Sequence, residues 1–152
     1  MLGTLTADQV DHLLHEQVIG RIGCHADGKT YVVPITFAYA DGCVYGHSGV
    51  GRKIEMMRAN PEVCFEVEQV DTLANWKSVV ADGTFEELHG AEAGRGMKVL
   101  VDRLLPLMGN QANVPTHGGP GATEGHRADT HGFEAVIYRI RLREPAGRFE
   151  AR

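Results

Sequence analysis

A histidine, a serine and two adjacent cations fall close together in the stretch YGHSGVGRKIEMMR, residues 45–58. His47 and Ser48 end a strand-like run, a Gly-rich link follows, and Arg52-Lys53 open a helix carrying Ile54, Met57 and Arg58. Ser48 is placed as the helix N-cap, its hydroxyl accepting from a free N–H of the first turn. The two cations stand where the helix macrodipole favours anions. Free N–H groups, a hydroxyl and two cations converging on one point suit a phosphate. A solvated basic turn after a Gly-rich loop accounts for the same residues. No Walker-type Lys-Ser/Thr pair follows the glycines, and both readings stand at this point.

Composition limits what such a site could serve. A chain of 152 residues, 43% of them hydrophobic, fits one globular domain, 1–152, with its own core. The net charge of −5 argues against non-specific binding to nucleic acid. No apolar run reaches membrane-span length, and the first residues lack the basic-then-apolar pattern of a secretory signal. A cytoplasmic protein that uses neither nucleic acid nor membrane is expected. Cys24, Cys43 and Cys64 lie far apart in apolar, strand-like runs without a Cys-x-x-Cys. That usage predicts buried, reduced thiols.

Elements that would position the basic stretch can be read in chain order. Thr6-Ala-Asp-Gln9 is a capping box with Leu5 and Val10 as its hydrophobic staple, opening a short helix that ends near Gln17. Residues 18–25 have strand character, and Asp27-Gly28 is a hairpin turn. In 31–39, Tyr31, Val33, Ile35, Phe37 and Tyr39 alternate with Val32, Pro34, Thr36 and Ala38, so one face is large and the other small. The large face suits a core. The small face leaves room for something flat against the backbone, although a proline in plain sheet-edge design explains it equally. Asp41-Gly42 then turns the chain toward His47. After the helix, Asn60-Pro61 breaks the pattern, and Val63, Phe65 and Val67 mark a strand. A long strand over 73–88 carries Trp76, Lys77 and Ser78. The spacing over 91–105 predicts an amphipathic cover helix stopped by Pro106. Residues 109–132 lose all periodicity and hold three histidines in no ligand pattern, so no metal site is assigned and a flexible loop or lid is expected. A final strand over 133–142 completes six mostly antiparallel strands with a few flanking helices, a mainly β, six-stranded split barrel.

Three segments then carry a resemblance. YVVPITFAY, YGHSGVGRKIEMMRANPEVCFEVEQV and WKSVVADGTFEEL, in this order, resemble the flavin-binding split-barrel superfamily that includes pyridoxamine 5′-phosphate oxidase. The likeness is nearest to its flavin-nucleotide-binding branch, related to 5-nitroimidazole-resistance reductases. The resemblance implies a homodimer with FMN at the subunit interface. It places the FMN phosphate on Ser48, Arg52 and Lys53, and the ring along Val33, Pro34, Ile35 and Thr36, with Trp76, Lys77 and Ser78 closing the site. The end of the chain, YRIRLREPAGRFEAR, lacks the Arg/His motif with which vitamin B6 oxidases hold their substrate, which speaks against that activity.

The function expected on these grounds is an oxidoreductase passing electrons from a reduced nicotinamide to a small acceptor, with the flavin performing the redox step. His47 is the candidate for direct chemistry, as a proton donor beside ring or substrate; a structural role at a strand end is its alternative. A non-catalytic FMN-binding or storage protein, or the same barrel holding haem or a deazaflavin, are the rival readings.

Overall fold

The computed structural model describes residues 1–109 and 135–152. Its strands are β1 (Leu2–Thr4), β2 (Ile19–Ala26), β3 (Lys29–Thr36), β4 (Ala38–Ala40), β5 (Cys43–Ser48), β6 (Glu62–Thr72), β7 (Asn75–Leu88) and β8 (Val136–Glu150). Three helices join them: α1 (Ala7–Glu16), α2 (Arg52–Ala59) and α3 (Gly90–Met108). The strands pair antiparallel in the order β3-β2-β6-β7-β8-β5-β4, with β1 added along the far end of β8. Strands β3 and β4 therefore stand at opposite ends of the order, yet Phe37 alone links them. In a flat sheet six strand spacings would separate them by about 29 Å, while one residue spans about 3.5 Å. The sheet must curl until its ends meet, and the result is a split barrel.

This corner divides the run expected as one strand over 31–39. The Phe37 N–H donates to the Val18 carbonyl at 2.8 Å. Its ring is fully buried and meets Phe65 edge-on at 5.0 Å. Apolar alternation runs straight through the corner, so periodicity could not show the break. Strand β1 is a second addition to the expected six, too short for any period to register. The last strand runs beyond 142 to Glu150 despite Pro145. Glu144 and Pro145 stand together opposite Ala81 as a bulge, with Glu144 at φ 45°, and a bulge is where a strand tolerates proline.

Local signals are met where they were strongest. Thr6 and Gln9 form both halves of the capping box, and Leu5 and Val10 are buried beside it. Asp27-Gly28 and Asp41-Gly42 each have two positive φ angles, the requirement of a type I′ hairpin turn. Helix α3, by contrast, continues through Pro106 to Met108. Proline forfeits the bond to Asp102 and crowds its carbonyl, which weakens or kinks a helix without forbidding another turn. Residues 110–134, and with them nearly all of the expected lid and its three histidines, lie outside the described residues.

The core fills the barrel from both sides. Leu13 and Leu14 of α1, Ile54 and Met57 of α2, and Ile22, Phe65, Val67, Val79 and Ile140 of the sheet are all at most 1% exposed. Tyr138 is equally buried, its ring lying against Gly46, where an added Cβ would come within 2.4 Å of the phenol. Glycine at 46 is thus what lets β5 and β8 pair closely beside the site. All three cysteines are free, Cys24 and Cys43 buried and Cys64 partly so.

Candidate functional site

The first turn of α2 brings Lys53 to a cavity. Arg52 and Lys53 are the first two helical residues, and the N-cap is Gly51, with no side chain capping the helix. Ser48 is therefore not the cap expected from sequence, because the Gly-rich link carries the chain on before the helix begins. Its hydroxyl instead donates to the Gly49 carbonyl at 2.8 Å and accepts from Lys53 Nζ at 2.8 Å. The first-turn N–H groups of α2, the Ser48 hydroxyl and the Lys53 ammonium thus share one region. Burial pushes the Lys53 amine below its ordinary pKa; an ammonium removed from water, with no carboxylate partner among the described residues, is held at a cost that an anion would offset.

Arg52 takes a different course. Its guanidinium lies 4.3 Å from the centroid of the Tyr31 ring, an exposed cation–π contact. It does not line the cavity, so the two adjacent cations have separate partners, Tyr31 and Ser48.

The cavity itself has a volume of about 340 Å³, within the range of roughly 300–1,000 Å³ for small-molecule sites. Val18, Ile19, Pro34, Ile35 and Thr36 form one wall, His47, Ser48, Gly49 and Lys53 its polar end, and Tyr138 adds a buried ring. The opposite wall is α3, through Met97, Leu100, Val101, Leu104, Leu105, Leu107 and Met108. Pro34 sits on β3, at an end of the strand order, where a missing N–H is tolerated. The exposed, small side of β3 does face open space, as its alternation suggested.

Of the residues singled out in the sequence, Pro34, Ile35, Thr36, His47, Ser48 and Lys53 are brought together. Val33 lies on the core side of β3, packed against the hydrophobic cluster. Trp76, Lys77 and Ser78 are elsewhere. They begin β7, facing Val70, Gln69 and Glu68 of β6 on one side and Glu150, Phe149 and Arg148 of β8 on the other. Lys77 contributes to a separate, smaller groove of about 180 Å³ against Asp8, Gln9, His12, Leu13 and Glu16. Tyr138 and the whole α3 wall were not expected from the sequence. The methionines and leucines of α3 were a visible signal, but they were assigned to core cover.

This combination of a curled sheet, a polar helix start and an adjoining small strand face can be compared with known proteins. Residues 6–148 match the family model described as pyridoxamine 5′-phosphate oxidase. The chain belongs to that family. An uncharacterised protein of Rhizobium meliloti (strain 1021) is 39% identical over 131 residues, 86% of this chain and 83% of the relative. A FAD-binding protein of Mesorhizobium loti, solved by crystallography, is 30% identical and superimposes with a TM-score of 0.78, covering 100% of this chain and 98% of its own. A candidate 5-nitroimidazole antibiotic resistance protein of Bacteroides thetaiotaomicron shares the pyridoxamine 5′-phosphate oxidase fold at 17% identity, with a TM-score of 0.68, covering 98% of this chain and 89% of its own. No helix among the described residues is long and apolar enough to cross a membrane.

Proposed function

We propose that the chain is a flavin-dependent oxidoreductase that takes FMN and passes electrons from a reduced nicotinamide to a small acceptor. The observation that carries this reading is the Lys53–Ser48 pair beside an uncapped helix start, at the polar end of a cavity walled by the small face of β3. Lys53 has two N–H donors left after its bond to Ser48, and the first turn of α2 offers unpaired backbone donors. Together they would hold a phosphate, with Arg52 outside them as a second cation. Pro34, Ile35 and Thr36 offer a flat backbone surface for a ring. His47, exposed at the cavity edge, is the residue able to supply a proton there. When bound, the flavin would supply the redox chemistry, and the chain's residues bind, orient and exclude water.

The Mesorhizobium relative is named as FAD-binding, so the choice between FMN and FAD is part of the proposal's test. Trp76, Lys77 and Ser78 do not reach this chain's own cavity. We assign them to closing the site of a second copy, in a two-fold dimer with one flavin per interface. The apoprotein should bind FMN at least about 10-fold more tightly than riboflavin, the ratio expected when a phosphate adds about 1.4 kcal/mol. Fluorescence quenching reads that ratio, with FAD as the third ligand. Light scattering should give twice the 16.6 kDa of one chain, and the holoprotein should oxidise a reduced nicotinamide when an acceptor is present. Equal FMN and riboflavin affinities would remove the phosphate seat, and an FMN-loaded monomer would remove the shared site.

A further inference from the structure

Helix α3 does not behave as a cover helix. Among its buried residues are only Gly96 and Leu100, although the stripe is apolar. Val101 is 43% exposed, Leu105 61% and Met108 38%, and all three line the cavity. The helix keeps its charges away from that wall: Lys98 pairs with Asp102 at 2.5 Å. Arg103 donates to the carbonyls of His15 and Glu16, the end of α1, at 3.2 and 2.9 Å. There it meets the negative end of a helix dipole and fixes α3 against α1.

The charge inventory of the cavity is correspondingly short. Among the described residues that line it, Lys53 is the only formally charged side chain, and no carboxylate lines it. Once Lys53 serves the cofactor's phosphate, an anionic ligand seated against α3 finds no formally charged group among the described lining residues, His47 at the polar end apart, and a cationic one finds no carboxylate there. Either would lose its hydration without compensation. A neutral ring, by contrast, gains apolar contact with the leucines and the two thioethers, Met97 and Met108, whose sulfur suits aromatic partners.

We propose that the α3 wall is the second-substrate subsite, and that it selects a neutral, apolar ring compound over an anionic one of the same size. The proposal rests on the flavin reading above and adds the chemical class of the second substrate. Val101 and Leu105 are one helical turn apart on the same face. Both are exposed enough for lysine to replace them without opening the core, and lysine suits a helix.

The test uses the oxidised, flavin-loaded protein and two probes, naphthoquinone and its ring-sulfonated analogue, titrated calorimetrically. The wild type is expected to bind the neutral probe at least about 10-fold more tightly. In Val101→Lys/Leu105→Lys, compared with the wild type at saturating FMN, the preference should reverse while the oligomeric state stays as in the wild type. Equal affinities in the wild type, or a ratio unmoved in the variant, would overturn the proposal. A variant that changes the oligomeric state would assign α3 to a subunit contact and overturn it too. Failure of the wild type to bind FMN would strike the flavin reading first, and the subsite with it; loss of discrimination with FMN still bound strikes the subsite alone.

Discussion

Replacing Lys53 by alanine is expected to weaken FMN binding at least about 10-fold and to leave riboflavin binding nearly unchanged. The ammonium is already partly removed from water and already aimed at Ser48. A phosphate arriving there gains charge-assisted hydrogen bonds, each worth roughly 1.5–3 kcal/mol in favourable settings. Stability of the apoprotein should hardly move, because the variant also relieves a desolvated charge and Ser48 keeps its bond to the Gly49 carbonyl. Arg52→Ala should differ. It gives up the contact with Tyr31, worth about 0.5–1 kcal/mol at an exposed site, so a small loss of stability should accompany any loss of affinity. The pH dependence has a definite sign. Burial lowers the Lys53 pKa in the folded chain, so between the folded and unfolded values the unfolded chain holds more protons. Stability therefore rises with pH across that window, and below it the desolvation cost is present in full. FMN needs the charged amine, so its affinity should fall as pH rises through the pKa of Lys53 in the free protein. Lys53→Arg, which stays charged, should flatten that fall. Undiminished FMN affinity in Lys53→Ala would move the phosphate seat elsewhere.

The largest effect on stability is expected at Phe37. Its ring is wholly buried against Phe65 at the one-residue joint between the ends of the sheet. Truncation to alanine removes a large apolar side chain and leaves a cavity, a loss of about 3–5 kcal/mol. A domain of this kind has about 5–15 kcal/mol in total, so the urea midpoint should fall steeply. Phe37→Leu, which fills part of the space, should retain more than half of the difference. Saturating FMN should recover some of it, about 2.7 kcal/mol at a hundredfold excess over Kd, if the folded variant still forms the cavity. A midpoint shift in Phe37→Ala no larger than that of an exposed control would show that the joint does not hold the barrel together.

Features that were legible in the sequence are those decided by a few neighbouring residues. Thr6 and Gln9 satisfy each other's backbone within one turn, and Asp-Gly pairs meet the backbone demand of their hairpins whatever lies outside them. The basic helix start was legible for the same reason. Ser48 was misread as a cap because serine before a helix is a strong signal, while the place where the helix begins depends on a glycine link with no signal of its own. The corner at Phe37 was hidden because both strands present the same alternation to the same core. The α3 wall was hidden because an apolar stripe reads alike whether it faces a filled core or an open cavity. Only the tertiary arrangement separates these cases. Trp76, Lys77 and Ser78 pair with β6 and β8 away from the cavity, a placement that their own local spacing could not show.

The position of β8 has a consequence in time. This strand lies between β7 and β5 and also carries β1, so it joins parts of the chain that the hairpins cannot join alone. Ser48 pairs with Val136 and His47 with Ile137, across most of the chain's length. Closing so long a loop costs more entropy than closing a hairpin, and such pairings form slowly. The β2–β3 and β6–β7 hairpins can assemble from sequence neighbours, whereas β5 acquires its second partner only when β8 docks. The residues at the polar end of the cavity are thus fixed late. A ligand held there should slow unfolding and leave the refolding rate nearly unchanged, a division that stopped-flow measurements with and without FMN would read directly. Occupancy would then govern how long the native barrel lasts, and have little say in how quickly it is found.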